Sequence, residues 1–230
     1  MGICIYCRRD STDSKSQAHI IPEALLRNNV TLPLGAECDA CNGYAAQLEQ
    51  AFVHHNRIWV PIMMLRAPGK GGKKRKRMGH YVADDIKKIV TAKYQESWIE
   101  LHDGQNRVVF PDPPEFDEHK FRRCLGHIGL NYVAWKFGWD TALEARFDLL
   151  RLYVRQGTRD VKWPYGQVSY EDSEPRKALS IGWEKNAPGL TVKIESYVDD
   201  FYIDVLNTGE LKLWMSSCKG REIHYFGELA

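Results

Sequence analysis

The feature that most limits what this chain can fold into is a pair of Cys-x-x-Cys turns, CIYC at Cys4 to Cys7 and CDAC at Cys38 to Cys41. Two thiolates on one tight turn bite a tetrahedral ion at about 2.3 Å per bond, and a second such turn closes the shell. A shell of four sulfurs has no open position for water, so the ion expected here is a structural Zn2+. Its binding free energy becomes folding free energy for a segment too short to bury a core of its own. The six cysteines of this 230-residue chain are too few for a disulfide scaffold, and the other two, Cys124 and Cys218, stand alone. Neither pair follows a strand in a βαβ pattern, which argues against a redox-active CxxC.

ICIYC reads as a short hairpin arm that turns at its cysteines. CDACNGYAAQLEQAF reads as a second cysteine turn flowing into a helix: Ala45 to Phe52 is rich in helix formers, and Leu48 and Phe52 fall on one face. A zinc knuckle followed by a cysteine turn at a helix start outlines a treble-clef arrangement, which many nucleic-acid proteins use.

The expected organisation is a zinc-bound module over 1–60, a basic loop or linker over 61–80, and an α+β domain over 81–230. GKGGKKRKR holds six cations, Lys70, Lys73, Lys74, Arg75, Lys76 and Arg77, among glycines that break regular structure. Such a loop can follow a phosphate backbone with salt-dependent affinity, and a solvated linker is the plain alternative. Short strands around an HDGQN turn precede the Pro- and acid-rich FPDPPEFDEHK. Helices are expected over about 119–156, as FRRCLGHIGLNYVAWKFG and TALEARFDLLRLYVRQG, each with apolar residues at three- and four-residue spacing and each ended by glycine. Their large apolar residues read as core, and His127 reads as a buried, hydrogen-bonded histidine. ALSIGWEK, LTVKIESYV, FYIDVLN and LKLWMSS alternate as strands, separated by NAPG, DD and NTGE turns, and Asp199, Asp200 and Asp204 read as an acidic patch ill-suited to phosphate. The strand region could serve as a scaffold, an oligomer interface or a sensor surface. There is no internal repeat.

Between the cysteine pairs stands SKSQAHIIPEALLRN. The order CIYC, AHIIPEAL, CDACN, with Glu49 one helical stretch later, resembles the HNH endonucleases, in the branch whose ββα-metal core is clipped by two CxxC pairs. The resemblance covers roughly 1–58 and continues more loosely into the two helices. It implies an α+β fold with a zinc-clipped ββα-metal, treble-clef-like module, and a metal-dependent endonuclease that hydrolyses DNA phosphodiester bonds. That chemistry needs a base to activate water, a divalent cation such as Mg2+ to neutralise charge on the leaving oxygen, and a frame that holds both in line.

By position in the motif, His19 is the general base and Asn42, directly after Cys41, is the ligand of the catalytic cation. An imidazole suits the first role because its ordinary pKa of about 6.5 leaves the neutral form dominant at cellular pH. A helix cap is the plain alternative for Asn42, and a buried, loop-holding residue or a further zinc ligand is the alternative for His19. Two positions depart from the family pattern. Ala18 stands where an acid usually binds the metal, and TLPLGAE lacks the asparagine that often orients the base. Glu49 is the obvious substitute acid, but seven helical positions put it about 10 Å along the axis from Asn42. It could hold a metal-bound water, orient an imidazole, fix a basic side chain, or be an ordinary surface carboxylate. His54 and His55 read as phosphate contacts or surface histidines before they read as ligands.

Lys and Arg total 32 against 30 acids, so net charge does not announce a polyanion partner; the distribution along the chain carries that signal. No apolar run approaches a membrane span and MGICIYCRRD lacks signal-peptide order, so the expectation is a soluble, cytoplasmic protein with DNA as partner. The absence of a helix-turn-helix implies low sequence specificity. This suits a bacterial or phage defence or recombination role in which other subunits decide when cutting occurs. A zinc module that binds nucleic acid or a protein without cutting is the rival reading.

Overall fold

The structure, a computed structural model, describes residues 2–25, 30–55, 57–58, 99–102, 105–108, 116–157, 163–169, 179–196, 199–217 and 222–226. The basic segment Lys70 to Arg77, the rest of 61–80, and Cys218 lie outside the described residues. The architecture is mixed helix and antiparallel sheet, and no helix among the described residues is long and apolar enough to cross a membrane.

The amino-terminal segment is built from single bridges rather than long ladders. Ile3 pairs with Asp10 and His19 pairs with Thr31, both antiparallel. A 3-10 turn, Glu23–Leu25, follows the His19 arm, and helix α1 runs Asp39–His54. Its buried residues Ala45, Leu48 and Phe52 form one face at i, i+3 and i+7, as the sequence pattern anticipates.

Strands β1 (Ile99–His102) and β2 (Gln105–Val108) form a separate antiparallel hairpin across the expected HDGQN turn. Helix α2, Glu118–Phe137, starts at Asp117, whose side chain caps the Lys120 N–H, and is buried without interruption from Phe121 to Ala134. It is the central rod of the molecule. Its apolar residues join α1 and the His19 arm on one side to the sheet on the other, in one cluster that holds Ile5, Ile20, Phe52, Phe121, Leu125, Phe201 and Val205. Gly129 makes the approach to the sheet possible, because a Cβ there would lie 2.5 Å from Val205 Cγ1.

The second expected helix is broken. Short α3 (Trp139–Ala142) and a 3-10 turn (Ala145–Phe147) precede α4, Asp148–Gln156, which ends on Gly157 at φ 57°. The break has a partner: the buried Arg151 guanidinium donates to the carbonyls of Ala142 and Glu144, which a continuous helix would have used internally.

The sheet has the order β4 (Ser180–Trp183), β5 (Thr191–Glu195), β6 (Asp199–Asp204), β3 (Tyr165–Ser169), β7 (Glu222–Phe226), with every pairing antiparallel. The segment LKLWMSS is not a strand but helix α5, Leu211–Ser217. Leu211 and Met215, four apart, pack under β3 and β6 against Val168 and Tyr202, while Leu213, which alternation would place beside Leu211, is 77% exposed. Helices thus cover both faces of the two central strands, and every residue of β3 and β6 is buried.

That burial overturns the acidic surface patch. Asp199 is gripped by Arg57 through two hydrogen bonds of 2.8 and 2.9 Å and by Gln167. Asp200 pairs with Lys193 at 3.1 Å, and Asp204 accepts from the Leu206 and Thr208 backbone N–H groups to close the β6 turn. All three are inward, paired carboxylates.

Candidate metal centre and active site

The two cysteine turns meet. The sulfurs of Cys4, Cys7, Cys38 and Cys41 all lie within 4.8 Å of one another. A tetrahedron with 2.3 Å bonds has edges of about 3.8 Å, and the Cys7 and Cys38 sulfurs are 3.7 Å apart. The donor set therefore fits a thiophilic metal ion. The Cys41 S–H donating to Cys4, with backbone hydrogen bonds at Cys7, Cys38 and Tyr6, pulls the Cys4 thiol down to about 4, and the same contact pushes Cys41 up. Cys4 is thereby favoured as the thiolate, the form that ligates metal, whereas Cys38, through burial, and Cys41 are pushed up. The knuckle is tied to the second turn by the Ile5 N–H donating to Ala36 O at 2.9 Å.

His19 lies on the arm between the turns. The Leu32 N–H donates to Ala18 O at 2.8 Å and the Ile20 N–H to Val30 O at 3.1 Å, which clamps the residues on either side of it. Its Nε2 stands 3.9 Å from a carboxylate oxygen of Glu23, with side chains 23% and 18% exposed. Glu23 went unassigned in the sequence, although its i+4 place after His19, on the turn opened by Pro22, is a readable signal. The arm is fixed at its start by Asp39, the first residue of α1. Its carboxylate accepts from the Lys15 and Ser16 N–H groups and the Ser16 hydroxyl, bonds that hold it below the usual carboxylate range.

Asn42 sits half-buried in the first turn of α1 with its N–H on Cys38 O at 2.9 Å, next to the sulfur cluster. Glu49 lies further along α1; burial pushes the Cys124 thiol of α2 well up, and the Glu49 charge adds to that push. Among the described residues, no second group of three His, Cys, Asp or Glu ligand atoms comes together beside the cysteine cluster.

His55 is neither exposed nor phosphate-facing. It stacks on Phe121 at 4.5 Å and meets Phe116 and Phe201 edge-on, and burial, with Arg57 nearby, pulls its pKa down to about 3. His54 is half-buried, and burial lowers its pKa too.

Behind the site lies a buried polar network that local spacing could not reveal. Glu37 faces His127 Nε2 at 3.1 Å with both side chains almost fully enclosed. Burial alone would lower the imidazole's pKa, but the Glu37 charge and hydrogen bond raise it. The Tyr6 ring stacks on His127 at 5.0 Å, and its hydroxyl lies 2.9 Å from His127 O and 2.8 Å from Asn131 Oδ1. Asn131 Nδ2 in turn donates to His19 O at 3.0 Å. A cavity of about 10 Å³ beside Tyr6, Glu37, Cys41, Tyr44 and His127 has room for one water.

Neither a curated protein nor a solved structure gives a significant match to the chain. Residues 4–56, the segment that carries the sulfur cluster, the His19 arm and α1, match the family model of the HNH endonuclease, whereas α2 and the sheet lie outside the match.

Proposed function

We propose that this protein is a metal-dependent HNH-type endonuclease that hydrolyses DNA phosphodiester bonds, with Zn2+ as the structural ion of a treble-clef-like, ββα-metal module. The observation that carries the reading is the coincidence of one family match, over 4–56, with a four-sulfur centre and a clamped histidine inside the same segment. His19 is the general base. It takes a proton from water as the oxygen attacks phosphorus, and the Glu23 carboxylate at 3.9 Å favours the imidazolium so formed. A divalent cation such as Mg2+, when bound, neutralises charge on the leaving oxygen. Asn42, on the helix turn that also carries Cys41, is its proposed ligand, with Glu49 supporting from further along α1.

DNA is the proposed partner, with Lys70, Lys73, Lys74, Arg75, Lys76 and Arg77 as phosphate contacts. Low sequence specificity and a cytoplasmic, antiviral-defence setting with further subunits complete the proposal.

Plasmid cleavage with Mg2+ or Mn2+ tests it. His19→Ala should lower the rate at least about 100-fold, with zinc content and DNA affinity unchanged, because removing a base alters the transition state more than the ground-state complex. Saturating cation should partly restore Asn42→Ala but never His19→Ala. Glu49→Ala should fall between Asn42→Ala and the parent. A second reading, a zinc module that binds nucleic acid without cutting, is favoured by the buried methyl of Ala18 where the family places an acid. No cleavage by either the parent or His19→Ala, with DNA binding kept in both, would establish it.

A further inference from the structure

We propose that Asn131 of helix α2, outside the segment matched by the nuclease family, is a positioning residue for His19; the proposal rests on His19 being the general base. The reason lies in how the His19 arm is paired. The bridge to Thr31 uses the carbonyl of Ala18 and the N–H of Ile20, so the carbonyl of His19 itself points away from the 30–32 strand. Turned inward, that oxygen needs a donor. Asn131 supplies it through Nδ2 at 3.0 Å.

The geometry leaves the amide one orientation. A carbonyl oxygen only accepts, so the atom facing His19 must be the nitrogen, and Oδ1 is left to receive the Tyr6 hydroxyl at 2.8 Å. Asn131 is 0% exposed, so both atoms lie away from bulk solvent. Tyr6 stands between Cys4 and Cys7, so the metal knuckle, the central helix and the His19 arm converge on one side-chain amide. Fixing the His19 carbonyl fixes the peptide plane after it, hence the backbone torsion that decides where its Cβ throws the ring. The Glu37–His127 pair one turn earlier on α2 locks this stretch of helix against the second cysteine turn.

A displacement of the base by about 1 Å costs on the order of 100-fold in rate. The test is plasmid cleavage by the full chain, zinc-loaded, at saturating Mg2+, with kcat and KM measured separately. Asn131→Leu keeps the branched shape and removes both hydrogen bonds, and Tyr6→Phe keeps the stacked ring and removes only the hydroxyl that orients the amide. Expected are a kcat lower by roughly 10- to 100-fold in Asn131→Leu and by about 3- to 10-fold in Tyr6→Phe, with KM for DNA and one zinc per chain as in the parent. If Asn131→Leu folds and keeps the parent kcat, or changes KM alone, while His19→Ala is inactive, Asn131 does not position the base and the nuclease reading stands. If Asn131→Leu fails to fold, Tyr6→Phe decides, and an unchanged kcat there overturns the proposal. If His19→Ala cuts like the parent, the general-base reading falls first and takes this proposal with it.

Discussion

The segment that matches the nuclease family and the body formed by α2 and the sheet are held together by different means. The body is held mainly by apolar surface, in a core it shares with α1. Phe121 alone meets Phe52, Phe116, Tyr165 and Phe201, and the two central strands are covered on both faces. The amino-terminal segment has single bridges, four convergent sulfurs, and polar contacts borrowed from elsewhere. Trp139 Nε1 donates to Ile3 O, Arg151 to Ile5 O, and Asn131 to His19 O. The family-matched segment thus has a four-sulfur centre on one side and α2 on the other, with the His19 arm bonded to that helix at the seam.

The largest expected effect breaks the metal side. Cys38→Ser should lose the bound zinc and abolish cleavage, since structural zinc supplies on the order of 10 kcal/mol to such modules. Elemental analysis and far-UV circular dichroism check it, and full zinc content with normal activity would contradict the assignment. Next comes the apolar side. Phe121→Ala should destabilise the whole chain by about 3–5 kcal/mol, in a single urea transition, because Phe52 of α1 stacks on that ring at 5.6 Å. Two separate transitions would show that segment and body unfold independently.

A subtler probe is pH. His55 is held neutral with a folded pKa of about 3 against roughly 6.5 unfolded. As pH falls below 6.5 the unfolded chain binds a proton that the folded chain refuses, so this group's contribution is complete above about 6.5 and declines toward about 3, with a slope of at most about 1.4 kcal/mol per pH unit. His55→Phe should flatten that acid limb in urea titrations between pH 4 and 6.5, and an unaltered limb would assign it to other groups. The smallest effect on the fold, though not on binding, comes from neutralising Lys73, Lys74, Arg75, Lys76 and Arg77 together. Thermal stability should stay within about 0.5 kcal/mol, while the slope of log K against log salt for DNA should fall by about one per lost phosphate contact. An unchanged slope would make the run a solvated linker.

What could be read from the sequence was whatever is local. Cys4, Cys7, Cys38 and Cys41 announced themselves by spacing, Leu48 and Phe52 by helical period, and β4, β5 and β6 by alternation between turn residues. Tyr165–Ser169 was missed because a strand buried on both faces has no alternation to show. LKLWMSS fits both periods, and only packing under the sheet selects the helix. Nothing local marks Arg122, Arg123 and Arg151 as interior, yet all three guanidinium groups are buried and donate to backbone carbonyls of Phe226, Val154 and Ile5. Glu37 and Asn131 were illegible for one reason: their partners stand 90 and 112 positions away.

That separation sets an order of events during synthesis. The Arg151 donor to Ile5 O lies 146 positions downstream of the carbonyl it serves. At about 5–20 residues per second, the knuckle waits roughly 7–30 s for it. Until α2 and α4 leave the ribosome, the nascent chain carries a cysteine clip without its brace. Docking must then close a loop of more than a hundred residues, an entropic toll that grows only slowly with length but falls wholly on this last step. The frame around the His19 arm is therefore completed late, once α2 and α4 have emerged, and an interrupted translation product ending before α2 would carry the family-matched segment without that frame.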